Sequence, residues 1–234
     1  MNPQPPTPRI LEVRTQILKK NDELARDLRD RFRAAGCYVV SLVSSPGTGK
    51  TEFLKQTLTQ LKERTDLRIA TLVGDLRTEN DAVRLSESGV EARQIETGTM
   101  CHLEADMVEN AIQEAGWDLR DLDLLFVENV GNMVCPSGFD LGEDLRIVLV
   151  STTEGEDKPL KYPTIFNTAD VAVITKMDLA EVLEFDDRQM NASIQDVRPG
   201  MHVFSVSAKT GDGMETWIDW LAQRPEVRAA SSSS

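Results

Sequence analysis

The chain has 234 residues, 40% of them hydrophobic, and a formal net charge of −13, which fits one α/β domain without a second sizeable core. So acidic a surface repels phosphate backbones and anionic lipid headgroups, and no apolar run approaches the length of a membrane-spanning helix. Residues 1–8 lack the charged-then-apolar order of a signal peptide. We therefore expect a cytoplasmic protein that binds neither nucleic acid nor membrane, and its three cysteines predict no disulfide framework.

The N-terminal part of the chain predicts one long helix. Residues 1–8 are rich in proline and are expected to form a flexible leader. Residues 9–35 carry apolar side chains at approximately helical spacing among many charges, which predicts an amphipathic helix packed on the domain that follows. Gly36 ends this helix.

From residue 37 onward, apolar runs alternate with helical patterns. The predicted strands are 38–43, 68–73, 92–95, 124–127, 146–151, 171–175 and 202–205. The predicted helices between and after them are 50–64, 79–88, 103–115, 186–196 and 214–223. This alternation predicts a single α/β domain over 36–225, with a mostly parallel sheet and helices on both faces, followed by a flexible tail at 226–234.

The first predicted strand runs into the sequence SSPGTGKT at 44–51 and then into a helix. This is the Walker A pattern of a P-loop NTPase, with Ser44 in place of the first glycine. Its glycines let backbone N–H groups surround phosphate oxygens, Lys50 supplies charge to the β- and γ-phosphates, and the Thr51 hydroxyl can ligate Mg²⁺. An ordinary glycine-rich turn is the alternative, but strand, loop and helix occur in the required order. The predicted phosphate contacts are Gly47, Thr48, Gly49, Lys50 and Thr51.

Two later segments indicate guanine as the base. The sixth predicted strand ends in Thr175-Lys176-Met177-Asp178, which resembles the guanine motif Asn-Lys-x-Asp with threonine in first place. An aspartate there accepts hydrogen bonds from guanine N1–H and N2, groups that adenine lacks, whereas threonine puts one supporting contact in doubt. Ser207-Ala208-Lys209, after the seventh strand, resembles the second guanine element. Each segment alone also fits a polar turn, but their order behind the phosphate loop predicts GTP.

Acidic residues and one glycine follow two further strands. Asp75 could hold Mg²⁺ or orient the attacking water, although a turn aspartate is the alternative. Glu128 is a second candidate for positioning magnesium or water, and the Gly131 N–H could contact the γ-phosphate. Lys50, Asp75 and Glu128 are the candidate catalytic residues, with Thr51 and Asp75 as magnesium ligands. The pair Thr78 and Asp81 predicts a helix cap only.

Cys101-His102 opens the predicted helix 103–115, and Cys135 lies in the long loop after the Glu128 strand. Two thiolates and an imidazole suit Zn²⁺ or Ni²⁺, and a helix N-terminus favours the thiolate of Cys101. One chain would supply three ligands, fewer than a closed tetrahedral site needs. The spacing alone leaves open that these cysteines are small buried hydrophobes, which is the interpretation we give Cys37.

Several segments are distinctive in combination: 44–51, 74–82, 96–98 with 101–103, 128–132 with 134–136, and the run EGEDKPLKYP at 154–163. Together they resemble the HypB family of hydrogenase nickel-incorporation GTPases, of the SIMIBI class. The resemblance implies a GTPase that uses GTP, GDP and Mg²⁺, and that forms a homodimer on binding GTP. It also implies that Cys101, His102 and Cys135 bind Ni²⁺ or Zn²⁺ at the subunit interface. The implied partners are a HypA-like nickel carrier and the NiFe-hydrogenase large subunit.

These features lead to one hypothesis and leave three alternatives. GTP with Mg²⁺ would draw Asp75 and Gly131 toward the γ-phosphate, and the loop that carries Cys135 would follow. The nearest alternative is a related SIMIBI GTPase that serves urease or cobalamin enzymes. A small-molecule P-loop kinase and a non-catalytic, nucleotide-gated metal-binding scaffold are the other two.

Overall fold

The computed structural model describes residues 8–75, 80–224 and 227. The strands are β1 Tyr38–Ser44, β2 Ile69–Asp75, β3 Glu91–Glu96, β4 Leu124–Glu128, β5 Leu145–Ser151, β6 Val171–Thr175 and β7 His202–Ser205. The helices are α1 Pro8–Ala35, α2 Lys50–Arg64, α3 Asn80–Ser86, α4 Ala105–Ala115, α5 Lys158–Lys161, α6 Pro163–Thr168, α7 Asp187–Val197 and α8 Met214–Ala222. Short 3-10 turns occupy Leu119–Asp121, Cys135–Gly138 and Met177–Leu179.

All seven predicted strands are present in one parallel sheet. Its order is β3-β2-β4-β1-β5-β6-β7, and every neighbouring pair is parallel. The central strands β1, β4, β5 and β6 are buried along their whole length, which explains their continuous apolar sequences. The edge strand β3 is largely accessible, and exposed residues alternate along it with partly or fully buried ones. The prediction of a mostly parallel sheet is confirmed.

Helices cover both faces of this sheet, as predicted. On one face, α2, α3 and α8 pack against alternate residues of the strands, around the large buried side chains Phe53, Phe126 and Trp217. On the other face, α1 and α4 form one apolar cluster with the sheet, and α6 and α7 form a second. The domain therefore has the layered P-loop NTPase architecture.

The predicted amphipathic helix α1 packs on the domain through its apolar face. Ala25, Leu28 and Phe32 are buried against α4 and the sheet. Gly36 ends the helix at a φ of 77°, a left-handed conformation that glycine adopts without strain. Cys37 behind it is buried in the same cluster, and burial raises the pKa of its thiol to about 12. Cys37 is thus a core residue, as expected.

The structure changes some local predictions. The predicted helix 103–115 begins at Ala105, so Cys101 and His102 lie in a bend before it and not in its first turn. Helices α5 and α6 were not predicted, because four and six residues are too few to show a helical period. The proposed cap at Thr78 lies outside the described residues, as do 1–7 of the leader and most of the tail. None of the described helices combines the length and apolar character needed to cross a membrane.

Candidate functional site

The predicted site residues follow strands that all end at one edge of the sheet. Ser44 ends β1, Asp75 ends β2, Glu128 ends β4 and Thr175 ends β6. Because every strand is parallel to its neighbours, these residues and the loops behind them gather at the carboxyl edge, where ligands bind in open α/β sheets. The fold thus brings the phosphate, base and metal candidates together.

The phosphate loop has the backbone that phosphate binding requires. Gly47 and Gly49 adopt φ values of 74° and 92°, which side chains with a Cβ rarely tolerate. Gly49 is also the N-cap of α2, so the positive end of that helix faces the loop. Thr48 is 1% exposed, and its hydroxyl donates to Ser45 O at 2.9 Å. These glycine conformations and this hydrogen bond hold the loop in a tight turn at the start of α2.

Glu154, which follows β5, braces this loop from the side. The Thr48 hydroxyl, whose single proton is shared between Ser45 O and this carboxylate, lies 3.0 Å from Glu154 Oε2, and Lys158 Nζ lies 3.1 Å from Oε1. Burial alone would raise the pKa of this carboxyl, but hydrogen bonds to its ionised form outweigh burial and hold the pKa below its ordinary value. The groups that lower this pKa are Ser45, Ser151, Lys158 and Thr48, and of these Ser151 N donates to Oε2 at 2.9 Å. Sequence reasoning assigned Glu154 no role in the site.

Lys50, Thr51 and Glu128 form a charged cluster beside the loop. Glu128 is 2% exposed; its Oε1 accepts from the Thr51 hydroxyl at 2.8 Å and lies 3.2 Å from Lys50 Nζ. Its Oε2 is buried without a hydrogen-bond partner among the described residues. A buried carboxylate oxygen left over beside a hydroxyl is a donor set that suits Mg²⁺. The residues present therefore fit magnesium.

The candidate base-binding residues lie next to the phosphate loop. The Thr175 hydroxyl donates to Thr48 O at 2.7 Å, so threonine in this position does contact the phosphate loop. Lys176 has a φ of 60°, and its Nζ donates to Gly47 O at 2.6 Å, which lays its stem along the loop. Both residues therefore connect the candidate base-binding motif to the phosphate loop through hydrogen bonds.

Asp178 meets the second base element. Its Oδ1 accepts from the Ser207 hydroxyl at 2.7 Å, and Lys209 Nζ lies 3.9 Å from Oδ2. Ala208 and Lys209 occupy the turn after β7. The two weak guanine signals are therefore neighbours in space, as their joint interpretation requires.

Asp75 and Gly131 flank the same edge. Asp75 pairs with Glu96 in the sheet, and its carbonyl accepts from Thr97 N at 3.1 Å; residues 76–79 behind it lie outside the described range. Gly131 presses on the phosphate loop, because a Cβ there would lie 2.9 Å from Pro46 Cα. The loop that leads to Cys135 thus starts in backbone contact with the phosphate loop.

The three predicted metal ligands come together. One ligand atom from each of Cys101, His102 and Cys135 lies within 4.8 Å of the others, and all three side chains are partly buried. Cys101 Sγ is 3.9 Å from His102 Nδ1. Two sulfurs and one imidazole nitrogen at this separation match the donors that Zn²⁺ and Ni²⁺ prefer.

His102 is held on two sides. The ring of Phe139 lies against it, with centroids 3.9 Å apart. His102 Nε2 lies 3.4 Å from Glu104 Oε1, a contact at ion-pair distance without hydrogen-bond alignment. With Nε2 toward this carboxylate, Nδ1 is the nitrogen nearer the Cys101 sulfur, an arrangement common around metal-binding histidines.

Asn129 joins the candidate metal ligands to the candidate phosphate site. It directly follows Glu128 and is 1% exposed. Its Oδ1 accepts from Leu103 N at 3.0 Å and from Val130 N at 2.9 Å. It therefore ties the segment after His102 to the segment that leads through Gly131 to Cys135. Its position in the ENVGN run was visible in the sequence, but its partner Leu103 was not.

Comparisons with known proteins give consistent matches over most of this chain. Residues 38–205 match the family model described as CobW/HypB/UreG, nucleotide-binding domain. The hydrogenase maturation factor HypB of Rhizobium leguminosarum bv. viciae is 45% identical over 96% of this chain and 74% of its own length. The hydrogenase/urease maturation factor HypB of Helicobacter pylori is 40% identical over 96% of this chain and 92% of its own. The crystal structure of Helicobacter pylori HypB in complex with nickel superposes with a TM-score of 0.81 and 40% identity, covering 91% of this chain and 97% of that one.

Proposed function

Because this chain belongs to the CobW/HypB/UreG family, and within it to the HypB proteins, we propose that it is a GTP-hydrolysing metallochaperone. It binds nickel or zinc and delivers nickel during maturation of NiFe hydrogenase. The observation that carries this proposal is the convergence of Cys101, His102 and Cys135 within 4.8 Å, on segments tied to the phosphate loop.

The nucleotide chemistry follows from the loop and its neighbours. Lys50, now paired with Glu128, would turn to the β- and γ-phosphates of GTP. Mg²⁺ would be held by Thr51 with Asp75, and by Glu128 directly or through water, and it would neutralise phosphate charge. Asp75 or Glu128 would position the attacking water. Asp178 and the Ser207–Lys209 turn would select guanine.

Nickel is the cargo in this proposal. The nickel complex of the Helicobacter pylori HypB supports nickel as the ion that this donor set takes. Since one chain offers three ligands, a fourth would come from a second copy of the chain or from outside. A homodimer that forms on binding GTP would meet this need. A HypA-like carrier and the hydrogenase large subunit would be the other partners.

The two sites would communicate through the segment 128–135. Its first residue contacts Lys50 and Thr51, Gly131 contacts Pro46, and Cys135 is a ligand. Movement of Gly131 toward the γ-phosphate would change the position of Cys135, while Asn129 would pass the same change to Leu103 beside His102. GTP hydrolysis would then release the metal.

A different client is the second candidate. The Helicobacter pylori relative is named a hydrogenase/urease maturation factor, which favours a GTPase that can also serve another nickel enzyme. A nucleotide-gated scaffold without turnover would share every contact described above, so phosphate release distinguishes it.

The test is a titration of Ni²⁺ and Zn²⁺ into the protein with GDP and with a non-hydrolysable GTP analogue. Mass, metal stoichiometry and metal affinity are measured together, with phosphate release in parallel on GTP. We expect turnover of GTP, and metal affinity and subunit pairing that differ between the two nucleotides. Equal affinity and equal mass in both nucleotide states would refute the coupling, and absence of turnover would refute the GTPase.

A further inference from the structure

Asn21 is a buried polar residue in the middle of α1, 4% exposed. A buried amide costs folding free energy unless both of its ends are hydrogen-bonded. Both ends of this amide are used: Nδ2 donates to Asp140 O at 2.8 Å, and Oδ1 accepts from Ala105 N at 2.9 Å.

The two partners of Asn21 belong to the two segments that supply the metal ligands. Ala105 is the first residue of α4 and follows closely on Cys101 and His102. Asp140 follows the short turn Cys135–Gly138. One planar side chain therefore spans from the segment that carries the histidine to the segment that carries the second cysteine, and its rigid shape sets the distance between them.

We propose that Asn21 is a positioning residue of the metal site, which holds the His102 segment and the Cys135 segment at the separation that a shared ion requires. This inference rests on the proposed function, since it takes Cys101, His102 and Cys135 as the ligands. It adds that helix α1, although it contributes no ligand, is part of the site.

Further contacts show that the Cys135 loop is docked on α1. Arg29 donates to Asp140 Oδ1 at 2.6 Å, and its Nε donates to Glu143 O at 3.4 Å. At Gly142, a Cβ would lie 2.9 Å from Ala25 O, so the loop backbone lies directly on the helix. These contacts fix the loop to α1, and the bond from Ala105 N to Asn21 brings the histidine segment to the same place.

The alternative is that Asn21 only stabilises the packing of α1. A purely structural role would lower the stability of the whole domain and leave nickel affinity in the folded protein unchanged. Residues that orient metal ligands without touching the ion change metal affinity by about 10–100-fold when substituted. Metal affinity measured on folded protein therefore separates the two roles.

The experiment compares Asn21→Ala with Arg31→Ala in the full chain. Arg31 pairs with Glu109 of α4, so its loss removes a contact between the same two helices away from the ligand segments. Nickel affinity is measured by competition with a chelator, the thiolate-to-nickel charge-transfer absorption is recorded, and GDP affinity reports folding. We expect Asn21→Ala to weaken nickel binding about tenfold and to alter the absorption, with GDP affinity kept; Arg31→Ala should match the parent.

A second variant covers the case in which Asn21→Ala does not fold. Asn21→Ser adds no charge and, with its shorter side chain, cannot reach Ala105 N and Asp140 O together, so it should also weaken nickel binding. Nickel affinity and absorption equal to the parent in the folded variants would overturn the inference, as would a parallel loss of GDP affinity. Failure of the parent to bind nickel, or of Cys135→Ala to weaken it, would instead refute the ligand assignment beneath it.

Discussion

The phosphate site and the metal site share one edge of the sheet but are assembled in different ways. The phosphate loop is a continuous stretch, 44–51, whose shape comes from its own glycines and from braces at Glu154 and Thr175. The metal cluster combines two segments that are far apart in the sequence, held by Asn21 and Asn129. A contiguous site carries its geometry in its own sequence, whereas a composite site takes its geometry from the fold around it.

The largest effect should come from the phosphate side. Lys50→Ala removes the charge that we propose meets the β- and γ-phosphates, and phosphate release should fall by about 100-fold or more. Nickel affinity without nucleotide should stay the same, because Lys50 contacts none of the three candidate nickel ligands. Lys62→Ala, near the other end of α2, is the matched control; loss of nickel binding in Lys50→Ala would show that the two sites are not separable.

The corresponding substitution in the candidate metal site is Cys135→Ala. Loss of one of three ligands should weaken nickel binding by about 100-fold, while GDP affinity changes little. Cys37→Ala, at a buried cysteine outside the cluster, should keep nickel binding. Metal competition and GDP titration on the same samples check both expectations, and unchanged nickel affinity in Cys135→Ala would remove that residue from the site.

The next prediction concerns the recognition of guanine by Asp178. Asp178→Asn replaces an acceptor of two hydrogen bonds with a side chain that offers only one acceptor atom, so GDP affinity should fall about 10–100-fold. Xanthosine diphosphate, which carries a carbonyl where guanine carries its amine, should bind this variant better than GDP does. A competition assay with both nucleotides measures the switch, and an unchanged preference for GDP would exclude Asp178 as the base reader.

The smallest effect concerns the brace of the phosphate loop. The folded-state pKa of Glu154 is below its ordinary value of 4.5, so its ionised form stabilises the fold above that pH, and this contribution is lost as the pH falls through the folded pKa. Glu154→Gln should therefore lower the free energy of unfolding by about 1 kcal/mol at pH 7, and by less at pH 4. Urea unfolding at both pH values measures the difference, with the exposed Glu181→Gln as control; a difference that grows in acid would contradict the assignment.

The same contrast explains what the sequence could predict. The seven strands were predictable because buried parallel strands need continuous apolar runs, and the phosphate loop because its residues are adjacent. The start of α4 was misplaced by two residues, since Leu103 is apolar and buried like the helical residues after it. The spacing of Cys101 and Cys135 left metal binding open until the family resemblance was considered.

The supporting hydrogen bonds were beyond prediction. Asn21 and Asp140 are 119 positions apart, and Thr48 and Glu154 are 106 apart. The local sequence around a buried asparagine or glutamate does not indicate which distant residue will be its hydrogen-bond partner. Such partners become visible only when the topology places their segments side by side.

The absence of a side chain at Gly131 affects how the phosphate loop can move against the segment that leads to Cys135. With no Cβ, its main chain lies directly on the main chain of Pro46, and no compressible side chain separates the two. Close-packed atoms of this kind have low compressibility, so we expect a displacement of the phosphate loop at Pro46 to shift residues 131–135 as well. In the coupling that we propose, the missing side chain of Gly131 lets motion of the phosphate loop pass directly to the segment that carries Cys135.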